Sequence, residues 1–487
     1  MTIATKTRPM DEETLLLDNA HVLQRTPLPW SQFSIILFLH MAEPLATNAI
    51  YPFTPELIRD IGITHGNEKK IGYYVGLMGS LFFLSEAVTV FQWSRLSDHI
   101  GRKPVILVGL TGLAVSMYSF GLSTTFLGLV LSKCLHGSLD GNVGVIRSMI
   151  AELTDATNVA QAYAYAPIAA STGAILGPLI GGSLSRPADQ FPWLFGTNTF
   201  LKKYPYFLPC AISATFTVSS LILALIYLKE TVKNPIPLSH LIRNKKPTLN
   251  TDDSQKTARE DNEVPLPFRA VMTPQVIIAA GSYAMLALVN TGLHSIQPVF
   301  FFTPITDGGL DLSPPTIGVI LCISGLLNGL LQVFCFAGIH NRWGSRNTLF
   351  LGILAAIPVF ALFPVMNWLA RKEGASWVLI WSALGAQLVF SASINMAYGA
   401  IFIIIADAAP NRASLGATNG LSQTAVSVVR SIAPAAANSL YSLSIEKGYL
   451  GGNLVYLVLI GVVGIACWTA LLLPKDGNGR RHWTKVN

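Results

Sequence analysis

Charge is what this chain has least of. Only 12% of its 487 residues are Asp, Glu, Lys or Arg, 51% are hydrophobic, and the mean hydropathy is +0.49. That balance excludes an ordinary soluble globular domain and matches a polytopic helical membrane protein. Cysteine is scarce too. Cys134, Cys210, Cys322, Cys335 and Cys467 fall inside or beside apolar stretches, none forms a C-x-x-C pair, and no N-x-S/T acceptor occurs. Disulfides and thiolate centres are disfavoured, and the cysteines read as small buried hydrophobes. No nucleophile–base cluster, phosphate loop or metal-ligand set stands out, so neither an enzyme nor a bound cofactor or metal is expected. A net charge of +7 could suggest nucleic acid, but the basic residues are scattered over short loops between apolar runs. Such scatter sets membrane topology instead. The polar first 30 residues hold no cleavable signal peptide, which leaves the first apolar run as the insertion signal.

What is present is a series of runs long enough to cross a bilayer. They cover about 33–55, 71–92, 104–122, 126–148, 161–184 and 207–228, then 275–302, 315–338, 347–366, 375–405, 415–440 and 453–473. The expected fold is therefore an all-α polytopic membrane protein with twelve transmembrane helices in two six-helix halves. The chain divides into a tail (1–30), a first bundle (31–228), a polar linker (229–273), a second bundle (274–473) and a closing tail (474–487). The tails and even-numbered loops carry 22 Lys and Arg, counting Arg147 at the end of the fourth run, against nine in the odd-numbered loops, which places both termini in the cytoplasm. Within the first tail, Glu12-Glu-Thr-Leu-Leu-Leu17 resembles an acidic dileucine sorting signal, so the membrane is expected to be vacuolar or plasma membrane.

Ionisable groups inside spans are costly and mark function by default. In the fourth run Lys133, His136, Asp140, Gly144 and Arg147 are spaced to share one helical face. A polar stripe about 21 Å long at 1.5 Å per residue should line a hydrated cavity or a buried contact; a simple Asp140–Arg147 pair is the plainer alternative. The first run repeats the arrangement with His40, Glu43, Thr47, Tyr51 and Thr54. Pro44 should kink the helix beside Glu43. A carboxyl given two environments, one per conformation, can take up and release a proton, and Glu43 is the first candidate. Glu86 continues the face of Gly72, Gly76 and Gly79 and is a second candidate or a packing group. The later spans are almost free of charge. Asn290, His294, Gln297 and Phe301 share one face of the seventh run, and Gln387, Ser391 and Tyr398 one face of the tenth. Such faces can hydrogen-bond or stack a solute without neutralising it. Arg430 in the eleventh run needs an acceptor.

The stretch Ser94-Arg-Leu-Ser-Asp-His-Ile-Gly-Arg-Lys103, with Asp98, Gly101, Arg102 and Lys103, resembles the G-x-L-x-D-x-x-G-R-K loop between helices 2 and 3 of major facilitator superfamily transporters, with Ser94 where the family usually has Gly. A degenerate copy, Ala337-Gly-Ile-His-Asn-Arg-Trp-Gly-Ser-Arg346, sits at the matching place in the second half, as an internal repeat demands. Gly173-Ala-Ile-Leu-Gly177-Pro178-Leu-Ile-Gly181-Gly182 is similar to the helix-5 motif of the family's proton-driven antiporters, and Leu228-Lys-Glu-Thr231 to its P-E-T ending. Lys133-Cys-Leu-His-Gly137 resembles the helix-4 R-x-x-Q-G motif, with Lys for Arg and His for Gln. Ala42-Glu-Pro…Tyr-Pro-Phe53 resembles the zinc-induced-facilitator-like branch and its fungal relatives, although His240 is the linker's only histidine. The resemblance implies a proton-coupled antiporter that exports or sequesters a small organic solute by alternating access. A facilitator or symporter of the same fold, or a non-transporting sensor, is the alternative. Implied proton-coupling residues are Glu43, Lys133, Asp140 and Glu86; the substrate cavity would draw on His40, Thr47, Tyr51, His136, Arg147, Asn290, His294, Gln297, Gln387 and Tyr398. Partners would be the solute, protons and the lipid bilayer, with no nucleic acid, and the protein would be monomeric.

Overall fold

A computed structural model describes residues 26–155, 158–232, 268–372, 377–410 and 414–474. The dileucine-like segment, most of the linker and nearly all of the closing tail lie outside the described residues. Among those described, every regular element is helical. The spans are α1 (Trp30–Ala49), continued after a bend by α2 (Thr54–Ile61), then α3 (Ile71–Ile100), α4 (Arg102–Leu122), α5 (Phe126–Leu139), α6 (Asn142–Leu153), α7 (Val159–Ser183) and α8 (Phe207–Tyr227). The second half contributes α9 (Pro274–Phe302), α10 (Pro314–Phe334), α11 (Phe336–Leu354), α12 (Ala356–Arg371), α13 (Trp377–Ala408), α14 (Leu415–Lys447) and α15 (Leu454–Leu471).

Eight helices among the described residues are long and apolar enough to cross a bilayer, nine when the 49° bend between α1 and α2 is taken inside one span. The three spans left over are informative. They are the broken α5–α6, the Ala- and Gly-rich α7, and α14, rich in Ser, Asn and Thr. The first is split into two helices each too short to cross alone, and the other two, rich in small or polar residues, are suited to protein contact.

Two apolar cores form. One runs from Leu28 to Leu228 through α1, α4, α5 and α8; the other is built mainly on α9, α11, α12, α13 and α15. The halves are joined by α3 against α14 and α7 against α10. The polar contacts between them cluster at the end of the bundle away from the chain termini. Tyr73 N donates to Ser442 Oγ (3.0 Å), Lys69 pairs with Asp307 (3.5 Å), and Arg59 stacks over the Phe302 ring (4.8 Å). Nearer the middle, Pro434 opens the α14 ladder, and the following N–H, of Ala435, donates to Ser80 Oγ of α3 (2.9 Å).

The loop repeat has a backbone counterpart. Gly101 (φ 107°, ψ 162°) separates α3 from α4, and Gly344 (φ 80°, ψ 170°) breaks α11 at the matching position. Both conformations are open only to glycine. In consequence the ninth span extends beyond its apolar run, starting within α11 and ending in α12 at Arg371.

Candidate functional site

The fourth span is not one helix. Asp140 leaves the helical region (φ −81°, ψ 73°), α5 ends at Leu139, and α6 begins at Asn142. The Asp140-Gly141-Asn142 sequence is turn chemistry, and the freed Ser138 carbonyl accepts from the Trp93 indole (2.7 Å). Lys133, His136 and Asp140 therefore do not continue as one straight stripe into Gly144 and Arg147. Asp140 closes α5 on the same face as His136, beside Glu43 of α1. One of its carboxylate oxygens, one of Glu43 and an imidazole nitrogen of His136 lie within 4.8 Å of one another. Thr47 Oγ1 donates to Glu43 Oε1 (3.0 Å), and Asn48 Nδ2 takes up the Pro44 carbonyl (2.7 Å).

Beside this acid cluster, between the halves, lies a cavity of ≈ 250 Å³. Its first-half wall is Thr47, Asn48, Tyr51, Thr54, Met78, Phe82, Phe83 and Lys133; its second-half wall is Asn290, Thr291, His294, Ser295 and Arg430. Lys133 is buried, its ammonium 5.0 Å from the Phe82 ring centre and 5.9 Å from that of Phe120. Cation–π contact of this kind holds a desolvated ammonium without an ion pair. Arg430 has its charge near Glu86 and near the Tyr398 hydroxyl, and Asn290 Nδ2 also donates to that hydroxyl (3.2 Å).

Thus Thr47, Tyr51, Lys133, Asn290 and His294 meet on the cavity wall, and Glu43 joins them through Thr47. Tyr398 stands one layer behind. Other candidates are placed elsewhere. Gln387 is fully buried and donates to the Val359 carbonyl (3.1 Å), and Gln297 is buried in the second core. Arg147 lies exposed on α6, and His40 and Glu86 are half-buried off the wall. His136 packs against Phe82 with ring centres 4.9 Å apart. Phe82 and Phe83 carry no signal that separates them from ordinary apolar residues, whereas the Asp-Gly-Asn turn was readable.

At the terminal end, Arg102 pairs with Asp98 (2.6 Å) and Glu152 (2.9 Å), and it donates to Ser97 Oγ. The Glu230 carboxylate accepts from the backbone N–H of Arg102 (2.8 Å) and Lys103 (3.1 Å), capping the α4 N-terminus with negative charge. Four first-half elements are thereby tied around Gly101. The α7 glycines form the second mechanical feature. A Cβ on Gly177 would lie 2.7 Å from the Leu45 carbonyl, Gly173 and, more tightly, Gly181 also press on the α1 backbone, and Gly182 meets Gly318 of α10. α7 thus packs closely on the Glu43 helix with one face and on α10 of the other half with another.

A two-half helical bundle around a central cavity that carries a few polar groups is an architecture suited to membrane transport. The chain matches the Major Facilitator Superfamily over residues 36–434, and it belongs to that superfamily. It is 30% identical to the efflux pump azaK of Aspergillus niger over 92% of this chain and 88% of that protein. It is 28% identical to the major facilitator-type transporter psiT2 of Psilocybe cyanescens (96% and 97%) and 29% identical to ZINC INDUCED FACILITATOR 1 of Arabidopsis thaliana (91% of each). A D-xylose–proton symporter shares the fold at TM-score 0.66 and 14% identity, covering 92% of this chain and 98% of that one. The protein is thus a multi-pass membrane transporter of the kind that binds small molecules.

Proposed function

We propose that this transporter exchanges a small organic solute for protons, exporting or sequestering the solute by alternating access of its two halves to the central cavity. The observation that carries the reading is the acid cluster of Glu43 and Asp140, hydrogen-bonded through Thr47 to the cavity wall. A solute that engages Thr47, Tyr51 and Lys133 on one wall and Asn290 and His294 on the other touches both halves. It can therefore favour the arrangement in which they close around it. Solute and proton compete because Thr47 serves either the solute or the Glu43 carboxylate. Binding one lowers the affinity for the other, and that reciprocity is what exchange requires. The α7 glycines, similar to the antiporter motif, support exchange over facilitation, because they seat α7 closely on both the Glu43 helix and α10 of the other half. The monomer suffices for this cycle, with both termini cytoplasmic and the vacuolar or plasma membrane as its site; no cofactor or chemical conversion takes part.

The test is flux of a solute panel in sealed vesicles with and without an imposed pH gradient. Acceleration by the gradient and collapse with a protonophore are the expected results. Gradient-independent flux would leave a facilitator, and solute and protons moving in the same direction would leave a symporter.

A further inference from the structure

We infer that Glu43, His136 and Asp140 form a binding site for one divalent transition-metal ion, set between α1 and α5 behind the cavity wall. Two carboxylates and an imidazole, each offering a ligand atom within 4.8 Å of the others, are a mixed oxygen–nitrogen donor set of the kind that holds zinc, cobalt or manganese. The independent observation is His136 itself. Its side chain is 2% exposed, and neither ring nitrogen has a hydrogen-bond partner. A buried imidazole with both nitrogens unmatched is costly, and here one of them lies within 4.8 Å of both carboxylates without a hydrogen bond to either. Metal–ligand bonds of roughly 2 Å place neighbouring ligand atoms roughly 3.3 Å apart, so small side-chain rotations close the trio. Three protein ligands leave a fourth position open toward water.

Charge also favours a cation. Glu43, Asp140 and Glu86 act on one another electrostatically, and the cations acting on this group are Lys133 and Arg430, two against three. Lys133 opposes the ion most directly, but its ammonium is held over the Phe82 and Phe120 rings. Asp140 follows His136 by four residues, which sets both on one face at the end of α5. An ion bound here occupies the carboxylates that exchange protons, so it competes with them.

The experiment is equilibrium titration of the purified full-length protein in detergent with cobalt(II), read by its d–d absorption and by calorimetry. One ion per chain is expected, with His136→Gln and Asp140→Asn each weakening binding at least tenfold and Glu56→Gln, at the far end of the bundle, leaving it unchanged. Either ligand variant suffices if the other does not fold. Absence of saturable binding to the wild-type protein, or binding indifferent to both ligand variants, overturns the site. Gradient-driven flux measured in metal-free buffer is a separate readout, so loss of the metal site and loss of proton exchange are distinguished.

Discussion

The two halves repeat one architecture but divide the labour. At the first loop, Asp98, Arg102, Glu152 and Glu230 bind four elements around Gly101. At its counterpart around Gly344, Asn341 stands where Asp98 does and Ser345 where Arg102 does. The contacts there are His340 to Ser345 Oγ (2.9 Å) and Arg346 to the Leu471 carbonyl (2.5 Å). The same contrast holds inside the spans. The first half carries Glu43, Glu86, Lys133 and Asp140, while the second offers the cavity Asn290, His294 and the single cation Arg430. A repeat thus needs only its backbone device, the positive-φ glycine, kept in both copies. Charge is then concentrated in the first-half spans, while the second half meets the cavity mainly with groups that hydrogen-bond.

The largest effect that would break this comparison is at Glu43. Glu43→Gln keeps the shape but cannot cycle a proton, so pH-gradient-driven flux should fall by more than about tenfold while solute-for-solute counterflow persists. Full gradient-driven flux in vesicles of this variant would return Glu43 to a structural role and move proton exchange to Asp140 or Glu86. Next in size is Gly177→Leu. With the Leu45 carbonyl 2.7 Å from where a Cβ would stand, α7 must move off α1, and flux should drop several-fold with solute binding less affected. Gly461→Leu on α15, with nothing within 4 Å of a Cβ, is the matched second-half change and should leave flux unaltered.

Substituting the two hinge glycines sharpens the loop comparison. Gly101→Ala and Gly344→Ala each force a side chain into a positive-φ conformation, costing on the order of 1–3 kcal/mol. Gly101→Ala should lower the melting temperature more, because its Cβ also meets the Glu230 carboxylate. Equal shifts in a thermal unfolding assay would deny Glu230 that part. The smallest effect is expected at Asp98→Asn, which converts the first loop toward the second. Asp98 is half-exposed and Arg102 keeps Glu152, so abundance should hold, with a loss of about 0–1 kcal/mol. Interconversion of the two access states should slow, read by solute turnover in a correctly inserted protein. Unchanged turnover would leave the ion pair without a part in switching.

Much of this molecule was legible in the residues. Apolar runs separated by basic loops delimit the spans, because a bilayer demands about 20 apolar residues per crossing and satisfied backbone within it. Gly101 and Gly344 announce the repeat through their neighbours, and the glycines of α7 announce a close helix contact. Glu43, Lys133 and Asp140 stand out because charge in a span is costly. Which faces meet was decided only by tertiary packing. A membrane helix is apolar toward lipid and toward its neighbours alike, so periodicity groups Gln297 with Asn290 and His294 but cannot say that Gln297 ends in a core. In the same way Gln387 looked like a cavity residue until its partner proved to be the Val359 carbonyl. The joining of Asp140 and His136 to Glu43 depends on how the fourth span packs beside α1, and the seat of Lys133 depends on rings brought by α3 and α4. Spacing along one helix determines what shares a face; the neighbour that covers that face comes from the packing of the whole bundle.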